Sequence, residues 1–164
     1  MTTDSATTVS TSIVVEAPPE KAFSVFTDDM ASWWPPEHHL LQGPLARMVF
    51  EPRAGGDVYD VGEDGSQCRW ARVLAYEPPR RVVFSWDISP EWQIQTDPAR
   101  TSEVEVRFVP EGEHRTRVEL EHRHLDRHGE GWEGVREAVR SPGGWNLGLG
   151  RLADRLAPAR AGEG

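Results

Sequence analysis

The chain has 164 residues, 37% of them apolar, with 27 acidic against 18 basic residues and a formal net charge of −9. That length supports one domain with its own core, and the acidic balance disfavours nucleic acid and anionic membranes as general partners. The single cysteine, Cys68, excludes an intrachain disulfide framework.

The opening, Met1 to Ala6, has no basic segment followed by an apolar run, and no run approaches the ~20 residues that span a bilayer. The expectation is a soluble cytoplasmic protein, monomer or homodimer. It would have a flexible start over residues 1–7, one domain over 8–157 and a flexible tail over 158–164. Lys21 is the only lysine, a bias that fits a GC-rich genome.

Val9 to Glu16 alternates, with Val9, Thr11, Ile13 and Val15 on one side, and reads as a strand. Ala17-Pro18-Pro19 stops it. Glu20 to Phe26 reads as a short helix with Pro19 near its start. Met30 to Trp34 is a further helical turn ended by Pro35-Pro36. Six strand-like segments follow: Leu45 to Glu51, Asp57 to Val61, Gln67 to Tyr76, Arg81 to Ile88, Thr101 to Val109 and Arg115 to His124. Short turns rich in Gly and Pro separate most of them, which favours antiparallel neighbours. The longer Ser89–Arg100 segment, with Pro90, Trp92 and Pro98, reads as a lid or rim loop. Gly131 to Arg140 is a short amphipathic helix.

The last segment, Ser141 to Leu156, reads as a helix with more glycine than a helix should carry, each costing roughly 1 kcal/mol against Ala. Ser141 is placed as the cap and Pro142 as the first helical residue. Trp145, Leu149, Leu152 and Leu156 form one apolar stripe, flanked by Gly148 and Ala153. Gly148 reads as a notch, serving either empty space or a close approach beside that face. The whole is an α+β architecture: one curved antiparallel sheet with helices on one face, wrapped around a long C-terminal helix, with a cavity between them.

Several segments together resemble a known family. Ala17-Pro18-Pro19-Glu20-Lys21-Ala22-Phe23 and Trp33-Trp34 are similar to the opening of the START-like (SRPBCC) superfamily. Arg53-Ala54-Gly55-Gly56, the run from Trp70 to Arg81, Phe84-Ser85-Trp86 and Gly143-Gly144-Trp145 resemble its branch of activators of the heat-shock chaperone ATPase. So do Glu103 to Phe108 and Val118 to Arg123. The likeness runs from about Val9 to Leu156. It implies a helix-grip fold with a hydrophobic cavity. The superfamily includes lipid and hormone binders, polyketide aromatases and cyclases, and many small bacterial proteins. Ala71 stands where relatives often have Gly. The separate N-terminal domain of the chaperone activators has no counterpart in this sequence, which weighs against a chaperone partner.

Seven tryptophans are many for this length and are expected to frame an aromatic pocket or to pack an ordinary core. Alternation turns Val82, Phe84 and Trp86 to one face, as it does Val104, Val106 and Phe108. Val118, Leu120, His122 and His124 likewise share a face, and Met48 and Phe50 another. Trp70 is left open to either side. The expected ligand-lining set is Trp34, Phe50, Tyr59 and Trp70 from the first half. The second half supplies Phe84, Trp86, Val104, Val106, Leu120 and His122, and the last helix Trp145, Gly148, Leu149 and Leu152.

His122 is the leading polar contact, either orienting a ligand oxygen and acting as acid or base, or sitting satisfied in the core. His122-x-His124, with His128 and His38-His39, is the weak metal alternative, lacking any completed ligand pattern. No metal or cofactor is expected and no catalytic residue is assigned. The leading expectation is a binding module for a small hydrophobic molecule. The rivals are an aromatase/cyclase-like or hydrolase-like enzyme using the same cavity, and a chaperone-interacting protein.

Overall fold

The computed structural model describes residues 7–34 and 43–157. The expected flexible ends, the stop at Pro35-Pro36 and the pair His38-His39 lie outside the described residues, apart from Thr7. Seven strands form one antiparallel sheet: β1 (Val9–Val15), β2 (Leu45–Phe50), β3 (Asp57–Gly62), β4 (Gln67–Glu77), β5 (Arg81–Trp86), β6 (Ser102–Gly112) and β7 (Arg115–Arg123). Their spatial order is β1-β7-β6-β5-β4-β3-β2. Only β1 is out of sequence, returning to pair with β7. Helices α1 (Pro19–Asp28), α2 (Trp132–Arg140) and α3 (Trp145–Leu156) complete the fold. This is the helix-grip α+β arrangement, with short helices after β1 and a terminal helix against the sheet. No helix among the described residues is long and apolar enough to cross a membrane.

Alternation decides which side chains face α3. Phe84 pairs with Val104 and Val104 with His122, while Val82 pairs with Val106 and Val106 with Leu120. All six are buried, so three strands present one continuous inner surface. β4 breaks the period. Val58 pairs with Ala71 but Tyr59 pairs with Arg69, which leaves Trp70 as an extra, bulged residue. Trp70 and Ala71 are therefore buried side by side. A bulge re-aims a side chain in this way, and the Trp70 carbonyl still accepts from the Asp87 amide at 3.0 Å.

The terminal helix starts later than its sequence implies. Ser141 closes α2, where its hydroxyl donates to the Ala138 carbonyl at 2.7 Å, and Gly144 is the residue before α3. Ser141-Pro142-Gly143-Gly144 is a connection between two helices. Gly144 is required there, because a Cβ would lie 2.2 Å from the Val139 carbonyl oxygen. Trp145, Gly148, Leu149, Leu152 and Leu156 are the buried face of α3, as the stripe predicts. The notch at Gly148 is a close approach and not empty space. Its missing Cβ is the space that the Trp33 ring uses, with Cζ3 3.3 Å from where that Cβ would stand.

The Ser89–Arg100 segment is partly ordered by its own backbone. Ile88 bridges Ile94, and the Ser89 amide donates to the Gln93 carbonyl at 2.7 Å. Trp92, at the tip with φ 61°, is 47% exposed and does not frame a pocket. Trp132 is half-buried with the Arg136 guanidinium 5.0 Å above its ring.

Candidate functional site

Between the sheet and α3 the remaining tryptophans meet. Trp34 stacks toward Trp70 at 5.1 Å between ring centroids, Trp70 meets Trp86 at 5.9 Å, Trp86 meets Trp145 at 5.6 Å, and Trp145 returns to Trp34 at 5.6 Å. Four indoles thus close a ring, each from a different element or segment. Phe84 touches it from the sheet, 6.1 Å from Trp70 and 6.4 Å from Trp145. Offset and edge-on contacts of this kind add attraction beyond area burial. Phe50 packs edge-on to Phe84 at 6.0 Å. Behind them Trp33 lies against Phe26 at 4.8 Å and donates its indole N–H to the Val25 carbonyl.

Of the expected lining residues, thirteen of the fourteen are buried on this inner side. Tyr59 is the exception: it alternates with the buried Val58 and Asp60 and is only half-buried, outside the core cluster. Among the described residues, aromatic rings pack between the sheet and α3. A groove of about 210 Å³ lies at the sheet edge, lined by Val9, Ser10, Thr11, Val139, Arg140, Trp145 and Asn146. Trp145 belongs to both the groove and the ring of indoles.

The polar centre sits beside these rings. Trp145 Nε1–H donates to His122 Nδ1 at 3.1 Å. His122 Nε2 lies 2.7 Å from Ser102 Oγ, and Ser102 Oγ lies 2.8 Å from His128 Nε2. All four side chains are buried. Burial and then the neighbouring His128 push the His122 pKa down to about 3; burial also lowers that of His128, against the pull of Asp87. Both imidazoles are therefore neutral at physiological pH, as desolvation requires of an uncompensated charge.

Next to them Arg72 grips the buried Asp87 with two N–H groups at 3.0 and 3.1 Å, and its Nη2 also donates to Thr101 Oγ1. On the far side of the indole ring, Trp70 Nε1–H donates to the buried Asp60 carboxylate at 3.1 Å.

Sequence reasoning passed over Ser102 and named His128 only within the weak metal alternative. Ser102 continues the inner face of β6 by one step before Val104, so the alternation pointed to it. His128 had no such signal. β7 ends at Arg123, His124 turns left-handed with φ 61°, and a 3-10 turn over Leu125–His128 then carries His128 back inward. That turn removes His124 from the His122-x-His124 pair that spacing suggested.

Fold and site together define a helix-grip protein with an aromatic interior and a buried neutral polar centre. The profile of the family described as Activator of Hsp90 ATPase homolog 1-like protein matches residues 16–157, and the chain belongs to that family, within the START-like superfamily.

A solved anthrahydroquino-γ-pyrone synthase, Txn09, is 43% identical, with 90% of this chain and 96% of that chain covered and a TM-score of 0.65. CalC, a self-sacrificing resistance protein of Micromonospora echinospora, is 25% identical, with 92% and 94% covered and a TM-score of 0.65. Protein NE0264 of Nitrosomonas europaea, at 14% identity, 93% and 96% coverage and a TM-score of 0.67, shares the fold. No curated protein matches.

Proposed function

We propose that this protein takes a planar aromatic polyketide between the sheet and α3 and closes an oxygen heterocycle, a γ-pyrone, upon it. The observation that carries the reading is the neutral His122–Ser102–His128 chain set against a ring of four indoles. Flat rings supply stacking area for a flat ligand, and the neutral chain passes a proton without burying a charge. The 43% identity to a γ-pyrone synthase supports the same choice.

The reaction needs no redox partner. A phenol oxygen adds to a side-chain ketone carbon, forming the C–O bond of a six-membered hemiketal. The phenol proton leaves, and the ketone oxygen gains one. Loss of that hydroxyl with an adjacent C–H proton then expels one water and leaves the conjugated pyrone. Each half requires a proton donor and acceptor close together, which the Ser102 hydroxyl between two imidazoles provides.

The groove of about 210 Å³ is below the ~300 Å³ at which small-molecule sites begin. Ligand entry on this reading therefore parts the aromatic rings, with Trp145 the side chain common to groove and interior.

The test uses an ortho-hydroxyaryl 1,3-diketone and follows loss of one water by mass spectrometry. The wild-type protein accelerates closure over buffer, and Ser102→Ala lowers the rate about 10²-fold while circular dichroism stays unchanged. Tight binding of the diketone with no acceleration by wild type would reduce the protein to a binding module.

A further inference from the structure

Hydrogen-bond donors and acceptors around Ser102 fix where each proton lies. An indole N–H only donates, so His122 Nδ1, which receives Trp145 Nε1–H at 3.1 Å, carries no hydrogen. The one proton of neutral His122 is therefore on Nε2 and points to Ser102 Oγ, 2.7 Å away. The Ser102 hydroxyl, having accepted that bond, gives its own hydrogen to His128 Nε2 at 2.8 Å. The reverse sense would leave the Ser102 hydrogen without an acceptor in this buried spot, the more costly arrangement. His128 Nε2 is then an acceptor, and the His128 proton is on Nδ1.

That Nδ1–H has no hydrogen-bond partner among the described residues, and neither does Trp86 Nε1–H. Both side chains are more than nine-tenths buried, at 1% and 7% exposure. Both adjoin the His122–Ser102–His128 chain: His128 is its end, and Trp86 pairs with Ser102 across β5 and β6, its ring 5.3 Å from the His122 imidazole. Buried N–H groups of this kind are rare in native structures and call for a reason. Here two occur beside one hydrogen-bonded chain, and its acceptor nitrogens, His122 Nδ1 and His128 Nε2, are already used.

We infer that the ligand's polar handle is an oxygen with lone pairs and no hydrogen, a carbonyl conjugated to its aromatic ring, received by Trp86 Nε1–H and His128 Nδ1–H. The inference rests on the aromatic-ligand reading above and sharpens it. His128 and Trp86 are the contacts for this carbonyl, while His122, Ser102 and Trp145 set the direction of the His128 proton. A hydroxyl in place of the carbonyl would bring a hydrogen that this chain has no free nitrogen to accept, and the site discriminates against it on that ground.

Xanthone and xanthene test this directly, since they share a flat tricyclic frame and differ by one conjugated carbonyl. Dissociation constants come from quenching of tryptophan fluorescence. Trp86→Phe keeps a ring and removes the N–H. His128→Gln keeps an amide toward Ser102 and has no N–H where Nδ1 stands. Each substitution is expected to weaken xanthone about five- to tenfold and to leave xanthene within about twofold. The carbonyl stretch of bound xanthone, lowered by hydrogen bonding, should move back up in both variants.

Nitrogen-15 NMR of the wild type reads the tautomers with no ligand present: His122 protonated at Nε2, His128 at Nδ1. A His128 protonated at Nε2 overturns the proposal. So does equal loss of both probes, or loss of neither; either outcome leaves the aromatic-ligand reading in place. Failure of wild type to bind either probe overturns the aromatic-ligand reading, and this proposal falls with it.

Discussion

On the outer face of β6, Glu105 is held between Arg81 and Arg123, and Arg107 and Glu103 continue an ion-pair ladder onto β5, β7 and the Arg127 turn. One residue along the same strand, on the inner face, stand Ser102, Val104 and Val106, with no charge until Asp87 and Arg72 at the rim. The outer face keeps its charges because water screens them and partners pair them; burial opposes it, but Arg123 and Arg81 still hold the Glu105 carboxyl down at about 2. Around Ser102 the inner face carries neutral, directionally bonded groups, and its buried carboxylates, Asp60 and Asp87, each accept from a fixed donor. Polarity outside is thus replaceable, while polarity inside is fixed to single atoms, which is the property a recognition site needs.

Four measurements break or sharpen this contrast. Phe84→Ala should cost most, about 3–5 kcal/mol in urea unfolding, because Phe84 is fully buried against Phe26, Phe50, Trp70 and Trp145.

The pH dependence should come next. His122 binds a proton in the unfolded chain below 6.5 but in the folded chain only below about 3. Its stabilisation is therefore complete above pH 6.5 and is lost as pH falls from there toward 3, with a slope approaching 1.4 kcal/mol per pH unit. His128 acts in the same direction. Glu105 adds a further loss only from 4.5 down to about 2. Urea midpoints between pH 6.5 and 5 should therefore decline in wild type and decline less steeply in His122→Asn, where His128 remains.

Gly148→Leu should cost about 1–3 kcal/mol by overpacking against Trp33, read as a lowered Tm; an unchanged Tm would restore the empty-notch reading. Smallest is Arg107→Gln on the outer ladder. Its partners Glu105 and Glu119 have other arginines and its side chain is 43% exposed, so the shift should stay within about 0.5 kcal/mol.

The inner wall was legible because a period of two needs no tertiary information: Val82, Phe84, Trp86, Val104, Val106, Leu120 and His122 all lie where alternation put them. Trp70 was not assignable, since a bulge inserts one residue and resets the period. Tyr59 was misplaced for want of a face assignment on β3. The helix of Trp145 kept its stripe but lost its first turn, because Ser141-Pro142 fits the end of one helix linked to the next as well as it fits a start. Ser102 was one alternation step away from being named, whereas His128 lay beyond any periodic signal.

By itself the sequence determined the order of strands and helices and the apolar faces, which follow from local spacing, and its family resemblance implied the helix-grip class. Only the tertiary structure decided that Gly148 makes room for Trp33, that four indoles close on one another, and that Ser102 joins two histidines 20 and 26 residues away. Those are meetings between side chains on different elements. Their geometry is set by a bulge, a left-handed turn and a close helix junction, none of which has a period to read.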